Sequence, residues 1–202
     1  MYITIRIKLG RAVVRLNSVL ETPSAACASP APTRYRCEVI ARTALEVVSG
    51  IGGRLVDLVM AGWQVTAVLT DCSDTRPLRV LGARTVDLDS LLAGLGREGL
   101  PQVLTVANDL YRGNDRVQRE VHSALDQRIE VAVWSSGAGA EIDAELVRVL
   151  SATRHRLSVA ARAFKARALI AANRPPLFDP TESYWATSWA TSSSETYIHA
   201  CI

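Results

Sequence analysis

Two apolar runs, QVTAVLT at 64–70 and IEVAVW at 129–134, constrain this chain more than any other feature, because each has the length of one strand and ends in turn-forming residues. Near-continuous apolar runs of this kind belong to strands buried on both faces, which occur in parallel sheets crossed over by helices. In NDRVQREVHSALDQR (114–128), Val117, Val121 and Ala124 or Leu125 share one face, which predicts an amphipathic helix. Helical connections between extended runs favour right-handed crossovers. The predicted fold is α/β: a small Rossmann-like three-layer domain over residues 38–174, with a mostly parallel sheet and a long C-terminal helix.

The remaining segments fit that frame less tightly. CEVIARTALEVVSGIGGRLVDLVMAGW (37–63) has the spacing of two short helices, or of one helix interrupted at Gly50, Gly52 and Gly53. PLRVLGARTVDL (77–88) reads as a second extended segment, after which Asp89 is placed to cap a short helix. QVLTVA (102–107) fits a strand or a helix. The last pattern is the longest: Leu146, Val149, Leu150, Thr153, Leu157, Ala160, Phe164, Ala168 and Ala171 form one helical stripe, long enough to cover a sheet and project beyond it.

Outside this core the composition changes. Residues 1–20 alternate apolar and polar side chains from Ile3 to Leu9, which predicts a small β-hairpin or a loose extension. Residues 21–37 are a Pro/Ala/Ser linker, and residues 175–202, with two prolines and a WATSWATS repeat, are expected to be a disordered tail. An apolar content of 49% is enough for a packed core, while 23 basic against 20 acidic residues leave a net +3, too small by itself to imply nucleic acid or an anionic membrane. Four cysteines without CxxC spacing favour free thiols, and no apolar run reaches the ~18–20 residues that span a bilayer, so the cytoplasm is expected.

In an open α/β sheet, ligands bind beyond the carboxyl ends of the strands. Two turns lie there. In DCSDTRP, Asp71 and Asp74 have the chemistry to hold Mg²⁺ or supply a base, with Arg76 for an anion; the same residues also make an ordinary turn. Cys72 lacks a neighbouring base to make it a nucleophile. In WSSGAGAEI, the backbone at Ser135, Ser136, Gly137 and Gly139 is open to a phosphate, but the third glycine of the dinucleotide fingerprint falls on Ile142, and Glu141 and Asp143 oppose an anion. No HExxH, GxSxG, cysteine zinc cluster or P-loop is present, and no cofactor is indicated.

Between Glu145 and Asp179 there is no acid, whereas Arg148, Arg154, Arg156, Arg162, Lys165, Arg167 and Arg174 flank the final stripe. The leading expectation is a binding or regulatory module that uses this basic helix for self-association or for an acidic protein partner. The alternatives are an enzyme or sensor that binds a small anionic ligand or Mg²⁺ at Asp71, Asp74, Arg76 and the 135–139 turn, and non-specific nucleic-acid binding through the basic helix.

Overall fold

The computed structural model describes residues 7–9, 12–14, 35–93, 99–135 and 142–187. Residues 1–33 and 34–202 form two separate compact units. In the first, β1 (Ile7–Leu9) pairs antiparallel with β2 (Ala12–Val14), Ile7 opposite Val14. Most of the expected linker and the last part of the expected tail, including Trp189, lie outside the described residues.

The second unit begins with β3 (Arg36–Ala41) and α1 (Ala44–Met60), then β4 (Gln64–Leu69), α2 (Arg76–Val80), β5 (Arg84–Asp87) and α3 (Leu88–Leu92). It continues with β6 (Val103–Ala107), α4 (Asn108–Gly113), α5 (Asp115–Asp126) and β7 (Glu130–Trp134). The last elements are α6 (Ala144–Val147), β8 (Leu150–Arg156), α7 (Val159–Ala171) and β9 (Thr181–Thr187). The strands form one seven-stranded sheet in the order β5-β4-β3-β6-β7-β9-β8. From β5 to β7 every neighbour is parallel, and β9 runs antiparallel to β7 and β8. The chain is therefore α/β with a mostly parallel sheet, and no helix among the described residues is long and apolar enough to cross a membrane.

Several local expectations are corrected. The first residues of CEVIARTALE are β3, not helix; this strand lies inside the sheet, and five of its six residues are buried, so no alternation marks it. The helix starts at Thr43, whose hydroxyl accepts from the Glu46 amide at 3.2 Å. The extended segment at 77–88 divides into α2, entered through Pro77, and β5. Asp87, rather than Asp89, caps α3 by accepting from the Ser90 amide at 3.0 Å. Asp89 accepts instead from Arg116 Nη1 at 2.8 Å.

The largest correction concerns the C-terminal third. The stripe from Leu146 to Ala171 is not one helix: α6 ends at Val147, β8 follows, and only Val159–Ala171 is helical again. The region expected to be an unstructured tail supplies β9, which pairs with all seven residues of β8 from Leu150 opposite Thr187 to Arg156 opposite Thr181. Thr153, His155 and Leu157 turn inward while Arg154 and Arg156 face solvent, which is the two-residue period of a strand. Arg148, Arg154 and Arg156 thus do not share a helix with Arg162, Lys165 and Arg167, and the continuous basic face does not form.

What fixes the β8–β9 ribbon on the sheet's neighbouring helix is a buried carboxylate. Glu182 Oε1 and Oε2 accept from the Gly53 and Arg54 amides in the middle of α1, each at 2.8 Å. Lys165 of α7 donates to Glu182 Oε1 at 2.6 Å and to the Ser49 carbonyl at 2.9 Å, the carbonyl one helical turn before Gly53. Both charged side chains are 2% exposed, so every lone pair and proton counts. The same face of the ribbon places Tyr184 against Arg54, with the guanidinium carbon 4.8 Å from the ring centre, and His155 Nε2 2.8 Å from Asp57 Oδ2.

The glycines of α1 serve this packing. A Cβ at Gly50 would overlap the Trp134 indole, and one at Gly53 would overlap the Leu157 methyls. In a free helix Gly→Ala is favourable by ~0.5–1 kcal/mol. Here overpacking reverses the sign: Gly50→Ala should cost ~1–3 kcal/mol and lower the melting temperature by roughly 3–10 °C, whereas Gly113→Ala, whose Cβ meets open space, should leave it within ~1 °C. Scanning calorimetry that finds Gly50→Ala as stable as the parent would remove this account of α1. Glu182→Gln leaves Lys165 charged and buried without its counter-ion, so urea unfolding should show a loss of ~3–5 kcal/mol; an unchanged midpoint would mean that the carboxylate does not hold the ribbon.

Candidate functional site

From β3 the chain steps to β4 and β5 on one side, and from β6 to β7 on the other, so the strand order reverses between β3 and β6. A crevice opens at the carboxyl ends of two such strands because their following loops diverge. Arg42 and Thr43 follow β3, and the fully buried Asn108 follows β6.

The first of these turns is braced from both sides. The Arg42 amide donates to Glu46 Oε2 at 2.8 Å, while the Arg42 carbonyl accepts from the Asp71 amide at 2.9 Å and the Thr70 hydroxyl at 3.2 Å. Together with the Thr43 cap this is a reciprocal helix-start motif, shifted by one residue on the Glu46 side. The Arg42 side chain is exposed and has no hydrogen bond or ion pair among the described residues.

The acidic loop after β4 uses its polar atoms locally. Asp71 Oδ1 accepts from the Ser73 amide at 2.8 Å, and that bond holds its carboxyl below the usual range. Arg76 grips Asp74 in a fork, Nε to Oδ1 and Nη2 to Oδ2, both at 2.9 Å; the Arg76 side chain lowers the Asp74 carboxyl, and the guanidinium is raised in return. Both partners are solvated, so the pair adds little stability. Of the turn after β7, Ser135 adjoins the buried Trp134, while Ser136, Gly137, Gly139 and Glu141 lie outside the described residues. The two turns open at the same edge of the sheet but are not adjacent: β3 and β6 separate β4 from β7, about 14 Å at ordinary strand spacing.

A groove of about 940 Å³ runs along the exposed face of α5, lined by Tyr111, Gln118, Arg119, His122, Asp143 and Glu145 among others. In its wall the Tyr111 hydroxyl lies 3.1 Å from His122 Nε2. The two rings lie nearly parallel, with centres 6.4 Å apart. Glu145 Oε2 is 3.8 Å from His122 Nε2, too far for a hydrogen bond yet close enough for charge attraction. Burial first, then the Asp143 and Glu145 charges, push the Tyr111 hydroxyl above the ordinary tyrosine range. The groove thus offers proton donors and acceptors within reach of one another. Among the described residues, no three His, Cys, Asp or Glu side chains converge as a metal site.

Reading the sequence alone missed Arg42, Thr43 and the groove. TALE at 43–46 carries the S/T-x-x-E signature of a helix start directly after an apolar run, and that signal marks the first strand-to-helix turn. Tyr111 and His122 are 11 positions apart on consecutive helices, and no local spacing announces their contact. The basic residues are dispersed: Arg148 follows α6, Arg154 and Arg156 lie on β8, Arg162 and Arg167 on α7, and Lys165 is buried against Glu182.

No family model matches the sequence, and no curated protein matches it. Solved structures do. An antimicrobial pseudoaglycone deacetylase is similar to it with a TM-score of 0.53 and 14% identity, covering 75% of this chain and 96% of the deacetylase. A deacetylase triple mutant involved in the teicoplanin biosynthetic pathway gives 0.52 and 10% over 75% of this chain and 97% of its own. A complex of a teicoplanin-pathway deacetylase gives 0.50 and 12% over the same shares. At these identities the likeness establishes the fold. The expectation of an association module is corrected on two grounds: the long basic helix that motivated it does not exist, and the solved structures that share the fold are enzymes.

Cys72 tests the electrostatics of the acidic loop. Partial burial, then Asp87 and Asp71, raise its thiol, so at pH 8 it carries less thiolate than free cysteine. Iodoacetamide should label Cys72 more slowly than free cysteine at that pH, and Asp87→Asn should speed labelling; labelling faster than free cysteine would contradict the acidic field.

Proposed function

We propose that the chain is an enzyme that removes an acyl group from a small, hydroxyl-rich molecule bound beyond the carboxyl ends of β3, β6 and β7. The observation that carries this reading is a groove in whose wall Tyr111, four residues beyond the end of β6, and His122 share a hydrogen bond. Deacetylases among the solved structures of the same fold support the reaction class. Hydrolysis of an amide needs a base to activate water and an acid to protonate the leaving amine. In this reading His122 accepts the proton from water and the Tyr111 hydroxyl, whose pKa lies above the ordinary tyrosine range, donates one; their mutual hydrogen bond supports the pairing. Cys37 and Cys72 are free thiols, which supports a cytoplasmic setting.

A panel of N-acetylated and longer N-acylated amino sugars, followed by release of primary amine, tests the proposal. His122→Gln should lower kcat by ~10²–10³ with a smaller change in KM. If no member of the panel releases amine or raises the melting temperature of the parent protein, the reading is abandoned.

A further inference from the structure

Helix α7 is apolar toward solvent as well as toward the core. Its inner face, with Ala161, Lys165, Ala168 and Leu169, is buried, and α1 and α2 are its helical neighbours. Its outer face carries Val159, Ala163, Ala166 and Ile170, spaced as one helical ridge, with Val159 75% and Ile170 52% exposed. At 3.6 residues per turn Arg162 and Arg167 lie on the two sides of that ridge. Arg174 follows the helix, and Leu177 comes next but two, behind Pro175 and Pro176. All three arginines are exposed, and none makes a side-chain hydrogen bond or ion pair among the described residues. From residue 146 to residue 178 the chain has no acid, and Asp57, beside the start of α7, is engaged by His155 Nε2 and the Ser158 amide. We propose that the outer face of α7 docks on an anionic lipid leaflet, with the helix lying in the plane of the headgroups.

Single apolar side chains on a surface are ordinary, but an apolar ridge rimmed by cations has the composition of a helix that rests at a lipid interface. Val159 and Leu177, the latter 84% exposed, are the two most exposed large apolar side chains among the described residues, and they bracket the helix. Guanidinium groups match lipid phosphates, and the unpaired state of Arg162, Arg167 and Arg174 means that no internal ion pair is broken when they do so. The inner face keeps its place during docking, because Lys165 is held by Glu182 and the Ser49 carbonyl. A second copy of the chain fits this face badly: two apposed α7 helices bring arginines together with no acid on the segment to pair them. The net +3 of the whole chain conceals this local charge, because acids gather elsewhere, among them Asp115, Asp126, Asp143 and Glu145 along the α5 groove. The inference is independent of the acyl-hydrolase reading.

The test is co-sedimentation of the full chain with two kinds of vesicle, phosphatidylcholine alone and phosphatidylcholine with about one-third phosphatidylglycerol. Partition into the mixed vesicles should be about a hundredfold stronger than into phosphatidylcholine, at about fivefold for each arginine, and should weaken as salt rises. Replacing Arg162→Gln and Arg167→Gln together should lower it about twentyfold. Ile170→Ser should lower it about fivefold while leaving the melting temperature unchanged, because that side chain is exposed. Arg112→Gln, at an exposed arginine of α4, should change nothing. Equal partition into both vesicles, or anionic binding that survives the double arginine replacement, overturns the proposal. An Ile170→Ser variant that binds as well as the parent overturns the seating of the ridge in the leaflet. A polyglutamate resin stands in for an acidic protein, and retention there without any vesicle binding also overturns the proposal.

Discussion

A carboxylate bound to the side of a helix organises this molecule. Glu182 satisfies two amides in the middle of α1 and is itself satisfied by Lys165, so one buried charge joins β9, α7 and α1. Two ions removed from water are costly, and the arrangement persists because each is surrounded by partners: the amides and the ammonium for Glu182, the Ser49 carbonyl and the Phe178 ring for Lys165. Helix α1 begins at Thr43, beside the crevice between β3 and β6. The same contact that seats the ribbon therefore also sets where the helix start, and Arg42 before it, stand relative to the sheet.

A second buried cation reinforces the arrangement from below. Arg54 reaches Thr105 of β6 at 3.3 Å and Glu130 of β7 at 3.6 Å while its face lies against Tyr184. Burial raises the Glu130 carboxyl, and Arg54 restrains that rise. Nearby, burial pushes the Cys37 thiol up to about 11, which makes it a packing group without nucleophilic character. Polar groups inside this sheet are thus paired across elements, and their pairing specifies which helix lies over which strands.

How much of this was readable in the amino acids depends on whether the signal was local. QVTAVLT and IEVAVW are β4 and β7 because apolar runs in a parallel sheet need no outside information. α5 was legible for the same reason, since Val117 and Val121 repeat at its own period. The C-terminal third was misread because its inward residues are polar. Glu182, Lys165 and His155 face the interior but count as solvated in any hydropathy pattern, so the alternation of β8 and β9 vanished and a helical coincidence took its place. Candidate site residues divide likewise: the DCSDTRP loop was visible as turn chemistry, whereas Arg42 and the Tyr111–His122 contact depend on neighbours supplied by folding.

The place of β9 has a consequence for how the chain is built. It is the last strand in the described sequence, yet it stands between β7 and β8, and β8 has no other partner in the sheet. During synthesis the five parallel strands and their helices emerge first and are able to pair as they appear, but residues 150–156 wait for their native partner until residues 181–187 have left the ribosome. The sheet is completed by insertion rather than by addition, and its final seam closes only after β9 has emerged.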